Sequence, residues 1–396
     1  MLNFLYDLTA TQPTPDSKFH GAGTYGEIVF LKLLQVFDAQ KVIFFIAYDS
    51  KRYINEELLN AADKLNLTFL DIQKESPKEI CSKYKIDRFY SALLDESIPW
   101  KFANAQVITT VHGLRGLEMP LDKIVLTYDR SVKARVKDFL KLYIFNKRQI
   151  AKIYKGYERF FVNDYKIITV SNHSKASIMS FFSKIKDEDI KVFSSPTFDQ
   201  LKDDSILEMP LLKTSNLAVK KYFILTSGAR WIKNNMRAIL AFDDLFIENA
   251  QLLKDFKVVI TGVPDKTVFT RYIKNKDKFV FFDYIERDLL AGLEANAYAF
   301  IYPSLNEGFG YPPVESMKYG VPVAASGTSS IPEICGDAAL YFDPYSISEI
   351  KNRIIQLCNK EIYNSFVEKA KSQYNKVSMM QKKDLDSMAE YLLEIK

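Results

Sequence analysis

Two glutamates eight positions apart enclose a glycine-containing segment in the last third of the chain. Glu307 opens this segment, Glu315 closes it, and between them lie Gly308, Phe309 and Gly310. Glycines let the backbone approach a ligand closely, and ionised carboxylates accept hydrogen bonds from hydroxyl groups. Two carboxylates at this spacing can bind separate hydroxyl-rich portions of one ligand. The pattern therefore predicts a site for a compound such as a nucleotide sugar, which carries both a ribose and a hexose.

A pair of cations follows a different predicted strand of the same half. Arg230 and Lys233 lie three residues apart after the apolar run Tyr222–Thr226, with Gly228 in the turn before them. Arginine binds phosphate oxygens with a planar fork, and lysine binds them as a point charge. This cation pair is suited to neutralising a diphosphate, although a solvated turn could have the same composition.

A weaker signal follows the third predicted strand of this half. The run from Phe282 to Glu286 contains Tyr284 and Ile285. Their aromatic face and backbone groups could frame a nucleobase. We expect both residues to contribute to donor binding.

Glycines also follow the first predicted strand of the chain. Three residues of the loop there are candidates for ligand binding: Gly21, Gly23 and Thr24. The loop opens a helix predicted over Gly26–Val36. Gly26 completes the spacing of a dinucleotide fingerprint, and Asp49, at the end of the next strand, could supply its acidic residue. A dinucleotide-dependent oxidoreductase therefore stays open as an alternative, which nicotinamide binding would test.

One histidine lies at a position where a parallel sheet presents ligand-binding groups. His112 comes directly after the predicted strand Val107–Val111 and before Gly113. A histidine there can donate a hydrogen bond to a sugar or act as a base near neutral pH. His173, in contrast, lies in a probable helix-capping sequence and is expected to be structural.

Composition limits the class of protein. The chain has 396 residues, of which 47% are hydrophobic and 26% are charged, so two soluble domains are expected. The net charge of +5 is too small to indicate nucleic-acid binding. The three cysteines are far apart and lack metal-ligand or redox spacing. The longest apolar runs have the length of strands, and the N-terminus is typical of a strand rather than a signal peptide, which favours a cytoplasmic location.

Short apolar runs alternate with amphipathic stretches along the whole chain, which is typical of parallel strands covered by helices. The first half has six predicted strands, at 3–8, 42–47, 67–72, 88–93, 107–111 and 167–170. The second half has six more, at 222–226, 258–261, 279–282, 299–302, 321–324 and 340–342. The predicted fold is α/β, with a first domain over 1–196, a linker over 197–216, a second domain over 217–376, and a closing helix over 377–396. That helix could pack back on the first domain.

Taken together, these loops resemble glycosyltransferase family 4, retaining enzymes of the GT-B architecture with two Rossmann-like, doubly wound domains facing across a cleft. The resemblance covers nearly the whole chain. The interval from Glu307 to Glu315 is similar to the family signature of two glutamates separated by seven residues. Other residues match this part of the family pattern: Tyr302, Pro303, Ser304, Pro312, Gly320, Pro322, Val323, Ser326, Pro332, Glu333, Gly336, Asp337, Ala338 and Ala339. One departure is Lys318-Tyr319, which replaces the small residues often found before Gly320.

The resemblance implies roles for the candidate residues. Glu307 would face the donor sugar, Glu315 would bind the ribose hydroxyls, and His112 would contact the donor hexose. The cation pair would bind the diphosphate, and the glycines at 21 and 23 would form the glycine loop of the first domain.

The resemblance also implies an activity, namely transfer of a sugar from a UDP- or GDP-linked donor to a glycan or lipid-linked glycan, with retention at the anomeric carbon. The departing diphosphate itself could accept the acceptor's proton. The stretch His112–Pro120 is similar to members that build bacterial surface polysaccharides such as O-antigen, capsule or exopolysaccharide. No metal or other cofactor is expected, because Asp203-Asp204 and Asp243-Asp244 do not form an Asp-x-Asp loop.

A basic segment at residues 130–160 has a possible membrane role. It holds ten lysines or arginines against two acidic residues, with apolar side chains between them. This pattern could place the protein on the anionic inner face of the cytoplasmic membrane, near a lipid-linked acceptor. A packed helix with a solvated basic face has the same pattern.

Two further alternatives share the expected fold. A nucleotide-sugar epimerase would alter the donor without passing its sugar on, but such enzymes lack the interval from Glu307 to Glu315. A non-catalytic glycan-binding protein would be expected to have lost some of the charged residues, and Glu307, Arg230, Lys233 and His112 are all present.

Overall fold

The computed structural model describes most of the chain, namely residues 1–13, 21–93, 98–102, 104–128, 131–162, 165–197, 212 and 214–394. These residues form two compact units. The first unit consists of Met1–Leu114, Lys155–Phe198 and Met379–Lys396, and the second of Arg115–Tyr154 and Asp199–Ser378.

The bounds of the units differ from the predicted domain bounds at residues 115–154, and the last helix differs in its start from the predicted closing helix. Residues 115–154 group with the second unit, whereas the sequence assigned them to the first domain. Their apolar side chains explain the grouping, since Ile124 and Tyr128 pack in a core cluster of the second unit. The last helix runs from Lys360 to Leu393 and so begins well before the predicted position 377. Most of the predicted linker, 197–216, lies outside the described residues.

The sheet of the first unit is parallel, with the order β3-β2-β1-β4-β5-β6-β7. Its strands are β1 (Leu2–Asp7), β2 (Val42–Tyr48), β3 (Thr68–Asp71), β4 (Arg88–Ser91), β5 (Gln106–Val111), β6 (Lys166–Thr169) and β7 (Ile190–Val192). The six predicted strands of this half are present. The edge strand β7 was not predicted, because three residues with one buried side chain give no apolar run.

The sheet of the second unit is also parallel, with the order β10-β9-β8-β11-β12-β13. Its strands are β8 (Tyr222–Leu225), β9 (Lys257–Ile260), β10 (Phe279–Phe281), β11 (Ala299–Tyr302), β12 (Val323–Ser326) and β13 (Ala339–Phe342). All four side chains of β8 are buried, and they alternate between two core clusters, Phe223 and Leu225 in one and Tyr222 and Ile224 in the other. The sheet is therefore covered on both faces, as its continuous apolar strands predict.

Helices follow most strands. Those up to residue 181 are Gly21–Val36, Glu56–Asp63, Pro77–Lys83, Arg115–Glu118, Val125–Tyr128, Val132–Tyr143, Asn146–Val162 and Asn172–Phe181. Those from residue 235 onward are Asn235–Glu248, Ala250–Leu253, Thr267–Thr270, Arg287–Asn296, Tyr311–Met317, Ile331–Cys335, Ile347–Leu357 and Lys360–Leu393. Among the described residues, no helix combines the length and the apolar content that a membrane span requires.

Each strand order has a switch point, where the chain turns from one side of the sheet to the other. In the first unit this point lies between β1 and β4, and in the second it lies between β8 and β11. Open α/β sheets bind ligands beyond the carboxyl ends of the strands at such a point. The alternation of strands and helices that the sequence predicts is confirmed, and both switch points lie beside predicted site residues.

Candidate active site

The switch point of the second unit brings together the loops that follow β8 and β11. After β8 the chain forms a turn and the short 3₁₀ helix Trp231–Lys233. After β11 it forms the loop that contains Glu307. The two loops are joined by the backbone, since the Leu305 amide donates to the carbonyl of Ile232 at 2.9 Å. The Asn234 side chain adds a second tie, a 3.0 Å hydrogen bond to the carbonyl of Pro303.

A buried ion pair lies between these loops. Lys233 Nζ donates to Glu307 Oε1 at 2.6 Å and to the Tyr302 hydroxyl at 2.8 Å. Lys233 and Glu307 are only 5% and 7% exposed. The sequence had assigned both residues to the donor site on separate grounds, and the structure brings them into contact.

The charges of the pair depend on each other. Burial lowers the pKa of the Lys233 ammonium, and the carboxylate of Glu307 opposes that shift. Burial would also raise the pKa of Glu307, but Lys233, Arg115 and a hydrogen bond from Ser304 outweigh it and hold that pKa at about 2. Glu307 is therefore an ionised acceptor at neutral pH, held in place by cations.

Arg115 is a residue of this site that sequence reasoning did not single out. Its Nη2 lies 3.6 Å from Glu307 Oε2, on the carboxylate oxygen that Lys233 does not bind. Glu118, on the same short helix, accepts a hydrogen bond from the Asn306 side chain. The available signal was the cation itself, in a stretch similar to polysaccharide-building enzymes, but 192 positions separate it from Glu307.

Hydroxyl groups hold the backbone of residues 303–310, which form the glutamate loop between β11 and the next helix. Ser329 Oγ lies 3.0 Å from the Glu307 amide and accepts its hydrogen bond. Ser330 Oγ donates to the carbonyls of Glu307 and Phe309, at 3.0 and 2.9 Å. Phe309 is buried. Gly310 has a φ of +105° at the start of the helix Tyr311–Met317, a conformation that a side chain disfavours.

Glu315 lies on that helix, one turn or so beyond the loop. Its side chain is 40% exposed and faces Arg287 Nη2 at 3.8 Å. A partly exposed carboxylate remains accessible to the hydroxyls of a ligand. Nearby, burial and the charge of Glu315 raise the pKa of Glu294 well above its usual range.

Arg230 and Gly228, in the turn after β8, differ in their exposure to solvent. Arg230 is exposed, so it is accessible to a ligand. Gly228 is buried, and its amide donates to the carbonyl of Thr261 at 2.8 Å. A Cβ at this position would lie 2.3 Å from Val263 Cγ2, so close packing of the loop after β9 requires the glycine.

Tyr284 and Ile285, in the segment after β10, differ in their exposure to solvent. Tyr284 is 68% exposed, which leaves its ring available for stacking. Ile285 is partly buried and packs against a core cluster of the second unit. Gly308, in the glutamate loop, is partly buried.

In the first unit, His112 follows β5 and is fixed by neighbours of that unit. Its Nε2 lies 3.0 Å from the carbonyl oxygen of Ala92, which can only accept, so Nε2 carries the proton. Its ring packs edge-on against Tyr25, with 4.7 Å between ring centroids.

The glycine loop of the first unit is part of a helix. The helix begins at Gly21, not at the predicted Gly26, so Gly21, Gly23 and Thr24 all lie in its first turn or so. His20 lies outside the described residues. A Cβ on Gly26 would lie 2.0 Å from Thr11 Cγ2, which gives this glycine a packing reason.

The carboxylate of Asp49 makes polar contacts within its own loop. Its carboxylate accepts a hydrogen bond from the Lys51 amide at 2.9 Å and pairs with Arg52 Nε at 3.3 Å. A dinucleotide fingerprint needs an acid that is available to a ribose. These contacts weigh against the oxidoreductase alternative.

Carboxylates do not gather into a metal-binding group in the part of the chain that is described, where no cluster of three or more His, Cys, Asp or Glu side chains occurs. Asp243, one of the paired aspartates, accepts hydrogen bonds from the amides of Lys274 and Asn275 and is thereby used in packing. Asp203 and Asp204 lie outside the described residues.

The second half of the chain matches a known protein family. Residues 211–373 match the family model described as "Glycosyl transferases group 1". The chain is 28% identical over 195 residues to O-antigen chain mannosyltransferase B of Escherichia coli, a match that covers 48% of this chain and 50% of that relative. The chain thus spans about half the length of this curated relative.

Solved structures share the whole fold. A glycosyltransferase from Rickettsia africae is 17% identical and superposes with a TM-score of 0.62 over 100% of this chain and 99% of its own. An Anabaena protein, solved in complex with UDP-glucose, is 12% identical, with a TM-score of 0.63 over 98% of this chain and 100% of its own. At these identities the likeness concerns the fold alone, which is the two-Rossmann-domain fold of the GT-B class predicted from sequence.

Proposed function

We propose that this chain, whose residues 211–373 match the family model of the glycosyl transferases group 1, is a retaining glycosyltransferase that uses a nucleotide-diphosphate sugar. The observation that carries the proposal is the buried pair of Lys233 and Glu307 at the switch point of the second sheet. A buried pair is poor evidence for stability. It is well suited to a site that must hold an acceptor for sugar hydroxyls beside a cation for phosphate.

The proposed donor site is built within the second unit. Arg230 and Lys233 bind the diphosphate, Glu307 accepts hydrogen bonds from the donor sugar, and Glu315 binds the ribose hydroxyls. Tyr284 and Ile285 frame the base. Gly308, Phe309 and Gly310 shape the loop that approaches the ligand.

The proposed reaction needs little acid–base chemistry from side chains. The bond between the anomeric carbon and the diphosphate oxygen breaks, and the acceptor oxygen bonds to the same face of that carbon. The acceptor's proton moves to an oxygen of the departing diphosphate. Cations that stabilise the growing negative charge of the leaving group lower the barrier. No metal is required in this scheme, because Arg230 and Lys233 supply the positive charge.

The relatives narrow the donor and acceptor classes. One relative is named an O-antigen chain mannosyltransferase, and a protein of the same fold was solved with UDP-glucose. We therefore propose a hexose linked to GDP or UDP as the donor, and a glycan or lipid-linked glycan of a bacterial surface polysaccharide as the acceptor. In the first unit, His112 contacts the hexose, and Gly21, Gly23 and Thr24 contribute to donor binding.

A panel of nucleotide sugars, incubated with the purified protein and lipid-linked glycan fractions, tests the proposal. Sugar transfer with retained configuration is expected, unchanged in excess chelator. Arg230→Ala should lower kcat by about tenfold to a thousandfold, whereas Lys351→Ala, which removes a half-buried cation paired with Glu248, should have no effect. Donor epimerised without acceptor would favour an epimerase, and glycan binding without turnover would favour a non-catalytic protein. Abolition by chelator, with recovery on adding a divalent ion, would contradict the metal-free scheme.

We also propose that the helix Val132–Tyr143 lies on an anionic membrane surface. This helix has no buried residue. Val132, Val136, Phe139 and Tyr143 are 80%, 52%, 49% and 61% exposed. Their spacing of four, three and four residues places them on one face.

Basic residues accompany this apolar face, with Lys133, Lys137 and Lys141 at intervals of four on the same helix. Apolar side chains beside a polybasic segment match a bilayer surface with anionic headgroups. Arg130, at the start of the basic segment, lies outside the described residues. A peripheral position on the inner face of the cytoplasmic membrane would bring the enzyme to a lipid-linked acceptor.

Flotation with phosphatidylglycerol-containing liposomes tests the membrane proposal. The wild-type protein should float at low salt and less at high salt. The double variant Val136→Ser/Phe139→Ser should lose most of the association, while Ile247→Ser, which changes an equally exposed apolar residue elsewhere, should retain it. Flotation that is absent at low salt, or equal in all three proteins, would remove the proposal.

A further inference from the structure

Arg115 occupies a position fixed by the second unit. It begins the short helix Arg115–Glu118, which is tied to the glutamate loop through Glu118 and Asn306. Farther along the same segment, Asp122 accepts a hydrogen bond from Arg237 Nη2 at 2.9 Å, and both side chains of this ion pair are largely buried. The backbone that carries Arg115 is therefore anchored both within the arginine's own helix and just beyond its C-terminal end.

The guanidinium of Arg115 is poorly satisfied in this position. Its Nε is buried and makes no hydrogen bond to any described residue. Its distance of 3.6 Å to Glu307 is longer than a hydrogen bond, and the side chain is 39% exposed. Lys233, on the other oxygen of the same carboxylate, makes two hydrogen bonds of 2.6 and 2.8 Å. A planar donor group with this much unused capacity is suited to a ligand with several oxygens.

The charges around Glu307 leave a positive excess. Lys233, Arg115 and the neighbouring Arg230 contribute three positive charges, and Glu307 contributes one negative charge. Both arginines lower the pKa of Lys233, so all three cations act on the same small volume. Glu118 and Glu315, the other carboxylates nearby, have partners of their own in Asn306 and Arg287, so the excess of positive charge around Glu307 suits an anion with more than one negative charge.

From these contacts we infer that Arg115 is a donor-binding residue, whose guanidinium binds the diphosphate of the nucleotide sugar with its planar fork while Glu307 turns to the sugar hydroxyls. The inference rests on the proposed function and adds a third cation to the proposed pair. It assigns the diphosphate a ligand from the 115–128 segment in addition to the loop after β8. The departing nucleoside diphosphate, which gains charge as the sugar leaves, is the species that Arg115 stabilises most.

Titration calorimetry with uridine and guanosine diphosphates, and with the two corresponding nucleosides, tests this inference. The variants are Arg115→Gln, which removes the charge, and Arg115→Lys, which keeps the charge without the fork. Arg271→Gln is the matched control, because exposed Arg271 donates to the carbonyl of Thr127 in the same segment, at 2.5 Å, away from Glu307. Thermal melting confirms that each variant is folded.

Arg115→Gln should weaken binding of the better nucleoside diphosphate by about tenfold to a hundredfold, the loss typical of hydrogen bonds between charged groups. Arg115→Lys should recover part of that loss, and Arg271→Gln should bind like wild type. Binding of the free nucleoside should be the same in all four proteins.

Two results would overturn the inference alone: diphosphate affinity of Arg115→Gln equal to that of the control, or an equal loss for nucleoside and nucleoside diphosphate, which would mean a structural role. If wild-type protein binds neither diphosphate and transfers no sugar, the proposed function fails and the inference fails with it.

Discussion

The two switch points have the same construction and carry different chemistry. In the second unit, the loops after β8 and β11 bury a lysine against a glutamate, with two arginines close by. In the first unit, the corresponding region holds a buried carboxylate, that of Asp7 at the end of β1, which accepts hydrogen bonds from Ser91 Oγ at 2.9 Å and from the Thr9 amide at 3.1 Å. There the Tyr90 hydroxyl lies 2.8 Å from Thr110 Oγ1, and Tyr25 packs against His112.

This difference indicates that the sheet provides the position of a ligand-binding site, whereas the loops determine which part of a ligand can bind there. In the second unit the buried charges of Lys233 and Glu307 compensate each other, because a buried charge without a partner would be strongly destabilising. Hydroxyl and aromatic groups in the first unit suit an uncharged, hydroxyl-rich ligand portion such as a sugar.

The largest effect should come from breaking the buried pair on one side only. Lys233→Met leaves Glu307 buried beside the more distant Arg115, and the free energy of unfolding should fall by about 3–5 kcal/mol. The double variant Lys233→Met/Glu307→Gln should be more stable than the single one, because no charge is stranded. Denaturant unfolding of the two single variants and the double variant measures this coupling. Additive losses would mean that the pair does not act as a unit.

Acid should test the same pair through its titration. The pKa of Glu307 is lowered to about 2 from an ordinary value of 4.5. A lowered folded-state pKa contributes stability above the unfolded-state pKa, and this contribution is lost as the pH falls from about 4.5 to about 2. Wild type should therefore lose about 3 kcal/mol more than Glu307→Gln over that range, by unfolding measurements at a series of pH values. Parallel pH curves would contradict the assignment.

A packing change in the first unit should cost less and leave the charged site intact. Gly26→Ala places a Cβ 2.0 Å from Thr11 Cγ2, and the first helix must shift to relieve the overlap. A loss of about 1–3 kcal/mol is expected. Nucleoside diphosphate affinity, measured on the folded variant, should not change. Reduced affinity would show that this glycine acts on the donor as well as on packing.

The smallest effect should come from the site of the first unit. His112→Ala removes a ring that is fixed by Ala92 and Tyr25, and kcat should fall by about tenfold, the loss typical of one uncharged hydrogen bond to the sugar. Affinity for the nucleoside diphosphate should stay at the wild-type value, because that ligand has no hexose. Calorimetry and turnover measured together decide it. An equal loss of turnover and of nucleoside diphosphate affinity would mean that His112 contacts the phosphates. The two units would then not differ in the part of the ligand that they bind.

Strands were the part of the fold most open to prediction. Continuous apolar runs such as Tyr222–Leu225 occur because both faces of the sheet are covered, so these buried strands can be recognised from the sequence. The edge strand β7 has a single buried residue and therefore no apolar run by which it could be recognised. The start of the first helix was wrong by five residues, since the glycines at 21 and 23 were interpreted as a loop although they lie within the helix.

Candidate residues that come from one loop could be named from the sequence, whereas contacts between distant segments could not. Glu307 and Lys233 each lie beside glycines or cations that suggest ligand binding. That Arg115 faces the same carboxylate depends on how residues 115–128 pack, and nothing local in the sequence records it. Likewise, only the fold reveals that Gly228 is required by Val263.

The anchoring of residues 115–128 has a consequence for recombination between relatives. A hybrid gene joined near residue 200 would combine this segment from one parent with the glutamate loop from another. Arg115, Glu118, Asp122 and Tyr128 would then meet foreign partners in place of Glu307, Asn306, Arg237 and the amide of Met236. Hybrids between relatives should remain active more often when residues 115–128 travel with the C-terminal half, because the proposed donor site is built from two segments that are far apart in the gene.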